Sequence, residues 1–227
     1  MQIPLCASQR APSLVENRLA GHFFRFPSLW QGAAAIGRIG AATVLGLLLY
    51  ALAQPSLAAP NGNYNKSGAS FQFPAGWSIT EDAQDEGGTG IRNVDLEGPD
   101  DALITIVFNP MTSAIDIQRL AAGATAKREE SARSTASAAP AERVTMGATT
   151  TRPIQRRVRG KEIQGLLQTY AVTMDGETAS GESRIFSLDV GDAQSVAIMT
   201  HARATSAKRM EAAVGLILDT LRYRVKR

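Results

Sequence analysis

The densest chemistry in the sequence is basic. Arg152, Arg156, Arg157, Arg159 and Lys161 fall inside R-P-I-Q-R-R-V-R-G-K, close to a predicted hairpin turn. Guanidinium forks match carboxylates and phosphates. Such a tip would engage an acidic protein surface or an anionic membrane surface, with attraction screened by salt. The competing reading is a row of charges guarding a sheet edge against aggregation. Glu81, Asp82, Asp85 and Glu86 form a second cluster, in a stretch read as an acidic, glycine-rich loop over residues 81–90. Calcium prefers oxygen ligands of this kind, but the order D-x-[DN]-x-[DN]-G is missing, and a solvated loop explains the cluster equally. His201 would be the general base of any hydrolase here, yet no G-x-S-x-G elbow accompanies it. It reads as a partly exposed histidine at a strand end.

Other motifs carry less. Gly87-Gly88-Thr89-Gly90 matches no phosphate-binding pattern and precedes no helix. Asp100 and Asp101 are adjacent in a turn and form no shared acid–base pair by that fact. Phe71, Phe73 and Trp77 could stack a ligand, but alternating aromatics at the start of a sheet are core anchors first. Zinc and copper need several His or Cys ligands. No cofactor is expected.

The N-terminal third must be set aside before the rest is weighed. Arg10, Arg18, Arg25 and Arg38 precede the apolar run 39–53, I-G-A-A-T-V-L-G-L-L-L-Y-A-L-A. That run is short for a membrane span, which needs about 20 residues, and suits the apolar core of a secretory signal. Ser56 and Ala58 supply small residues for cleavage. The expectation is a signal peptide over 1–58 and an exported, periplasmic product; an uncleaved signal would leave a single-pass inner-membrane anchor. The whole chain has 24 basic and 21 acidic residues. The leader holds four of the former and one of the latter, Glu16, so the remainder is neutral. A neutral domain lacks the positive footprint that nucleic acid requires. Cys6, the one cysteine, lies in the leader, so the remainder has no disulfide, thiolate or lipid-anchoring cysteine. It must rely on its own core.

The elements that would position these groups follow from periodicity. Residues 59–68 are polar and rich in turn formers, and read as a linker. Phe71 and Phe73 alternate with polar neighbours until Pro74–Gly76 turns the chain; Trp77-Ser78-Ile79 begins the next strand. Strands follow at 91–96 and at 103–108, the latter apolar enough to be buried on both faces. Ser113-x-x-Asp116 resembles a capping box, and Ile117, Leu120, Ala121 and Ala124 have helical spacing. This helix is expected to fade through 127–131 into an Ala/Ser-rich loop ending near Pro140. Residues 144–154, 163–174, 184–190 and 195–200 read as strands, with a hairpin turn at Asp175-Gly176. A last helix over 206–221 carries the stripe Met210, Val214, Ile217, Leu221. Arg222 to Arg227 read as a solvated basic end, with 224–227 beyond the domain. The order predicts a single α+β domain over 69–223, an antiparallel sheet covered by two helices.

The pattern F-Q-F-P-A-G-W, followed by I-T-I-V-F-N-P, resembles the PsbP-like family, the fold of photosystem II extrinsic proteins. The later R-G-K-E, the three antiparallel strands and the closing helix ending I-L-D-T-L-R-Y agree with it. The resemblance covers residues 64–223 and implies an α/β/α sandwich. The same fold serves a Ran-binding nuclear import factor and many exported bacterial proteins, so it does not transfer a function. The functional expectation is an exported, non-enzymatic accessory or binding protein. It would dock to an envelope protein or membrane-associated complex through its loops and basic hairpin. The alternatives are a small-ligand or calcium-binding domain and, further off, a hydrolase using His201.

Overall fold

The computed structural model describes residues 60–85, 87–112, 114–138 and 144–224. The expected leader, Glu86, Ser113 and residues 225–227 of the basic tail lie outside the described residues.

Strands β1 (Gly62–Lys66) and β2 (Ala69–Phe73) open the chain. The segment read as a linker thus holds a strand, because β1 pairs antiparallel with β2 and stacks Tyr64 on Phe71 at 4.8 Å between ring centroids. Pro74 closes β2, and its carbonyl accepts a hydrogen bond from Trp77 N at 3.3 Å. Next come β3 (Ser78–Gln84), β4 (Arg92–Glu97) and β5 (Leu103–Asn109). The first part of the expected acidic loop therefore belongs to β3, where it pairs with β4.

Helix α1 spans Ile117–Ala138. Asp116 caps it, its Oδ1 accepting from the backbone N–H of Gln118 (2.9 Å) and Arg119 (3.2 Å). The helix runs past the expected fade because its inner face continues in other residue types. Ala121, Thr125, Arg128 and Ala132 keep the spacing i, i+4, i+7, i+11, and both Arg128 and Ala132 are buried.

After α1 come β6 (Val144–Met146), β7 (Thr150–Val158), β8 (Lys161–Met174), β9 (Glu177–Gly191) and β10 (Gln194–Arg203). β9 begins well before the expected residue 184 because β8 continues to Met174 and supplies its partners, down to Met174 opposite Glu177. Helix α2 (Ala207–Thr220) follows, and β11 (Arg222–Tyr223) is the last element among the described residues. Arg222 and Tyr223, expected in a solvated end, pair with β2 instead, and Tyr223 is buried against Phe108 with ring centroids 5.0 Å apart.

Among the described residues the strands form two antiparallel sheets. A three-stranded sheet has the order β1-β2-β11, and an eight-stranded sheet runs β3-β4-β5-β10-β9-β8-β6 with β7 also on β8. The large sheet is the middle layer. On one face Val94, Leu96, Ile104, Ile106, Phe108, Phe186 and Ile198 pack with α2 and the small sheet. On the other face Val107, Leu166, Ile185, Ala197 and Met199 pack with Ala121 of α1. Met210, Val214 and Ile217 of α2 and Leu221 at its C-cap are all at most 2% exposed; each such side chain contributes about 1.5–3 kcal/mol. Phe71, Phe73 and Trp77 are buried in the same core, which leaves no face for stacking a ligand. Among the described residues no helix is long and apolar enough to cross a membrane.

Candidate docking site

The basic stretch forms a hairpin. Val158 of β7 pairs with Lys161 of β8, so Arg159 and Gly160 make a two-residue turn, both at positive φ (49° and 80°). That turn type matches the twist of the strands it joins. β7 lies at the sheet edge, where Pro153 and exposed charge discourage further pairing.

Alternation along β7 divides the five basic residues. Arg152, Ile154, Arg156 and Val158 share the face that carries α2, and Ile154 and Val158 pack into the main core. The turn fixes Arg152 opposite Leu167, and the next hairpin fixes Leu167 opposite Arg184 of β9. One row across three strands therefore reads Arg152, Leu167, Arg184. The neighbouring row reads Ile154, Gly165, Phe186. Gly165 lets the Phe186 ring lie flat across it; a Cβ there would sit 2.5 Å from Phe186 Cδ1. Above these rows, Glu211 of α2 accepts from both Arg156 Nη1 and Arg184 Nη1.

Together these groups enclose a shallow cavity of about 160 Å³, with Leu167 and Phe186 as its floor and Arg152, Arg156, Arg184 and Glu211 on its walls. Three guanidinium groups line it with the Glu211 carboxylate, and Arg184 also reaches Glu182 at 3.5 Å. The Nε atoms of Arg156 and Arg184 are buried and without a hydrogen-bond partner. Arg152 is exposed and bonds to no described residue. One turn beyond Glu211 stands Gly215, where a Cβ would come within 2.6 Å of Arg156 Nη2. Glycine in a helix interior costs about 0.5–1 kcal/mol relative to alanine; here it makes room for a guanidinium.

The other three basic residues go elsewhere. Arg159 reaches back to the end of α2, its Nη2 donating to the carbonyls of Leu218 (3.2 Å) and Leu221. That meets the unsatisfied acceptors of a helix C-terminus. The side chains of Arg157 and Lys161 stay exposed at the hairpin and bond to no side chain among the described residues. Arg184 and Glu211 were not among the expected site residues. Arg184 was legible in principle, since two hairpin turns determine its register with Arg152. Glu211 was not, because nothing local says which way α2 crosses the sheet.

The acidic residues are dispersed. Glu81 and Asp82 are neighbours on β3 and so point to opposite sides. Asp82 receives Arg92 Nε at 2.5 Å and Lys66 Nζ at 2.8 Å. Burial pushes its carboxyl up, but these two cations outweigh burial and hold it below the usual range. Asp85 accepts from Thr89 Oγ1 at 2.7 Å. No cluster of three or more metal-ligating side chains occurs among the described residues.

His201 is half-buried near the end of β10, as expected, and lies on the face that carries α1. Tyr170 Oη bonds its Nδ1 at 2.5 Å, and the two rings stack at 5.8 Å. In a catalytic triad that nitrogen would face a carboxylate. Burial, then the nearby charge of Arg128, lowers the His201 pKa to about 4. Burial also pushes the Tyr170 phenol up, so the phenol donates and the neutral ring accepts. Arg128, 2% exposed, lies 4.3 Å from the Tyr170 centroid and donates to Gln168 Oε1 at 2.7 Å. Gln168 Nε2 donates in turn to the Ala121 carbonyl at 3.0 Å. This network pins α1 to the sheet.

No family model matches the chain, and no curated protein matches it. Solved structures similar to it include cyanobacterial PsbP (CyanoP) from Synechocystis. That likeness has 12% identity and a TM-score of 0.34, and covers 83% of this chain and 99% of that one. A second is a Bacteroides thetaiotaomicron protein, with 12% identity and a TM-score of 0.40, covering 75% of this chain and 50% of that one. A third is LpqN, described as involved in cell envelope biogenesis of Mycobacterium tuberculosis, with 8% identity and a TM-score of 0.33, covering 72% and 91%. The family that the sequence resembles is thus represented among them. Likenesses at this level say nothing of activity.

Proposed function

We propose that the chain is an exported accessory protein of the cell envelope that docks to an acidic protein surface through its β7–β8 hairpin. The observation that supports this is the arrangement of the hairpin's charges. Arg152 lies open beside a cavity walled by two further arginines, and Arg157 and Lys161 are exposed next to it. Ion pairs inside the domain account for Arg156 and Arg184, and hydrogen bonds to helix-end carbonyls account for Arg159. Arg152, Arg157 and Lys161 are left to an external partner. Edge protection alone would be met by charges facing solvent along the strand; it gives no reason for Arg152 to converge with Arg156 and Arg184. A protein partner is favoured over a membrane surface because the one large hydrophobic side chain exposed among the described residues is Met111, which follows β5, four strands across the sheet from β7.

A photo-crosslinking side chain at Lys161, with a control at Thr178 at the far end of β9, tests the reading in cells. A discrete protein adduct from position 161, absent from 178, is expected. Equal labelling at both positions, or lipid as the main adduct, would remove the hairpin from the account.

A further inference from the structure

We infer that the arginine cavity is a receptor for a single carboxylate side chain of the partner, an aspartate or glutamate on an acidic peptide segment. This rests on the docking reading above and names the group that is recognised. The cavity already binds one carboxylate: Glu211 bridges Arg156 and Arg184 from above. Arg152 stands in register with Arg184 across Leu167 and lines the same cavity. Glu182 also pairs with Arg184 at 3.5 Å, so three arginines stand against two glutamates and an excess of one positive charge remains. Two buried Nε–H groups still lack acceptors, and a buried donor left unmade costs more than a typical hydrogen bond gains.

Size and floor narrow the ligand class. About 160 Å³ holds a carboxylate with its adjoining methylenes, and Leu167 and Phe186 offer apolar surface to that short stem. A free phosphate would leave this floor uncovered. Gly215 lets the Arg156 guanidinium pack against α2, where a Cβ would push the end of that side chain aside.

The test uses the full chain and a fluorescent oligoglutamate peptide, followed by anisotropy at low and moderate salt. The peptide should bind, and Arg152→Ala should weaken it about tenfold, the effect of losing one charge-assisted hydrogen bond. Gly215→Ala removes no charge but crowds Arg156, and should weaken binding several-fold. Thermal melts confirm that both variants fold, and Arg152, being exposed, keeps the test valid if Gly215→Ala does not. Unchanged affinity in Arg152→Ala overturns the proposal, as does equal competition by inorganic phosphate. Binding to phosphatidylglycerol vesicles without binding to the peptide overturns it in favour of lipid. Arg157→Glu with Lys161→Glu separates the two levels. If that pair abolishes peptide binding while Arg152→Ala leaves it intact, docking by the hairpin stands and the carboxylate receptor falls.

Discussion

Acidifying the protein places a proton on His201 at a cost that the structure sets. In the folded state burial and Arg128 hold its pKa near about 4, against about 6.5 in an unfolded chain. The unfolded state therefore binds more protons between these values, and stability falls as the pH drops through that window. The full contribution is present above pH 6.5. Each pH unit below that removes up to about 1.36 kcal/mol, so pH 5 costs about 2 kcal/mol and the lower end of the window about 3. For a domain of this size about 2 kcal/mol lowers Tm by roughly 4–8 °C. The assay compares melting of the wild-type chain and His201→Gln at about pH 7 and about pH 5. Glutamine keeps an acceptor for Tyr170 without titrating. Other acid-sensitive groups, including Asp82 and the second histidine, His22, are common to both proteins. The wild type should lose its advantage over the variant as the pH falls. A Tm difference that is the same at both pH values would refute the burial argument.

Three further predictions concern the scaffold. Arg92 is buried and joins Asp82 of β3 to Ser67 Oγ (2.7 Å) at the β1–β2 turn; Arg92→Met should cost about 3 kcal/mol by leaving the carboxylate poorly compensated, read by urea unfolding. Gln168→Leu strips Arg128 of its 2.7 Å acceptor and should cost about 2 kcal/mol, with faster hydrogen exchange in α1 than in α2. Arg159→Ala frees the last carbonyls of α2 and should cost about 1 kcal/mol, with the loss confined to α2 and β11.

Period-2 runs, hairpin turns and the stripe of α2 were legible because each depends on neighbours within a few residues. The α/β/α layering followed from them, as did the core placement of Phe71, Phe73 and Trp77. What escaped was set by distant partners. β1 is polar but for Tyr64, and is a strand because β2 offers it a ladder and Phe71 a ring to stack on. The second half of α1 hides its inner face in Thr125, Arg128 and Ala132, types that do not mark a core. Within the basic stretch, composition could not separate Arg159, which serves a helix end, from Arg152, which faces a cavity. Register arithmetic from the two hairpin turns would have brought Arg184 to Arg152. The crossing of α2 that delivers Glu211 is a tertiary fact. Asp82 shows the same limit from the other side: its cations come from β4 and the end of β1, so the acidic run around it is not an open ligand set.

The central claim is that the exposed charges of the hairpin hold a partner. Quantitative recovery of proteins from an envelope extract, with the wild-type chain and with Arg157→Glu/Lys161→Glu at matched Tm, addresses it most directly. Neither side chain bonds to another side chain among the described residues, and the matched Tm controls for the new Glu opposite Glu162. The account predicts a specific protein retained by the wild type, lost with rising salt, and reduced at least about tenfold by the double reversal. Equal recovery by both proteins at every salt concentration would contradict it.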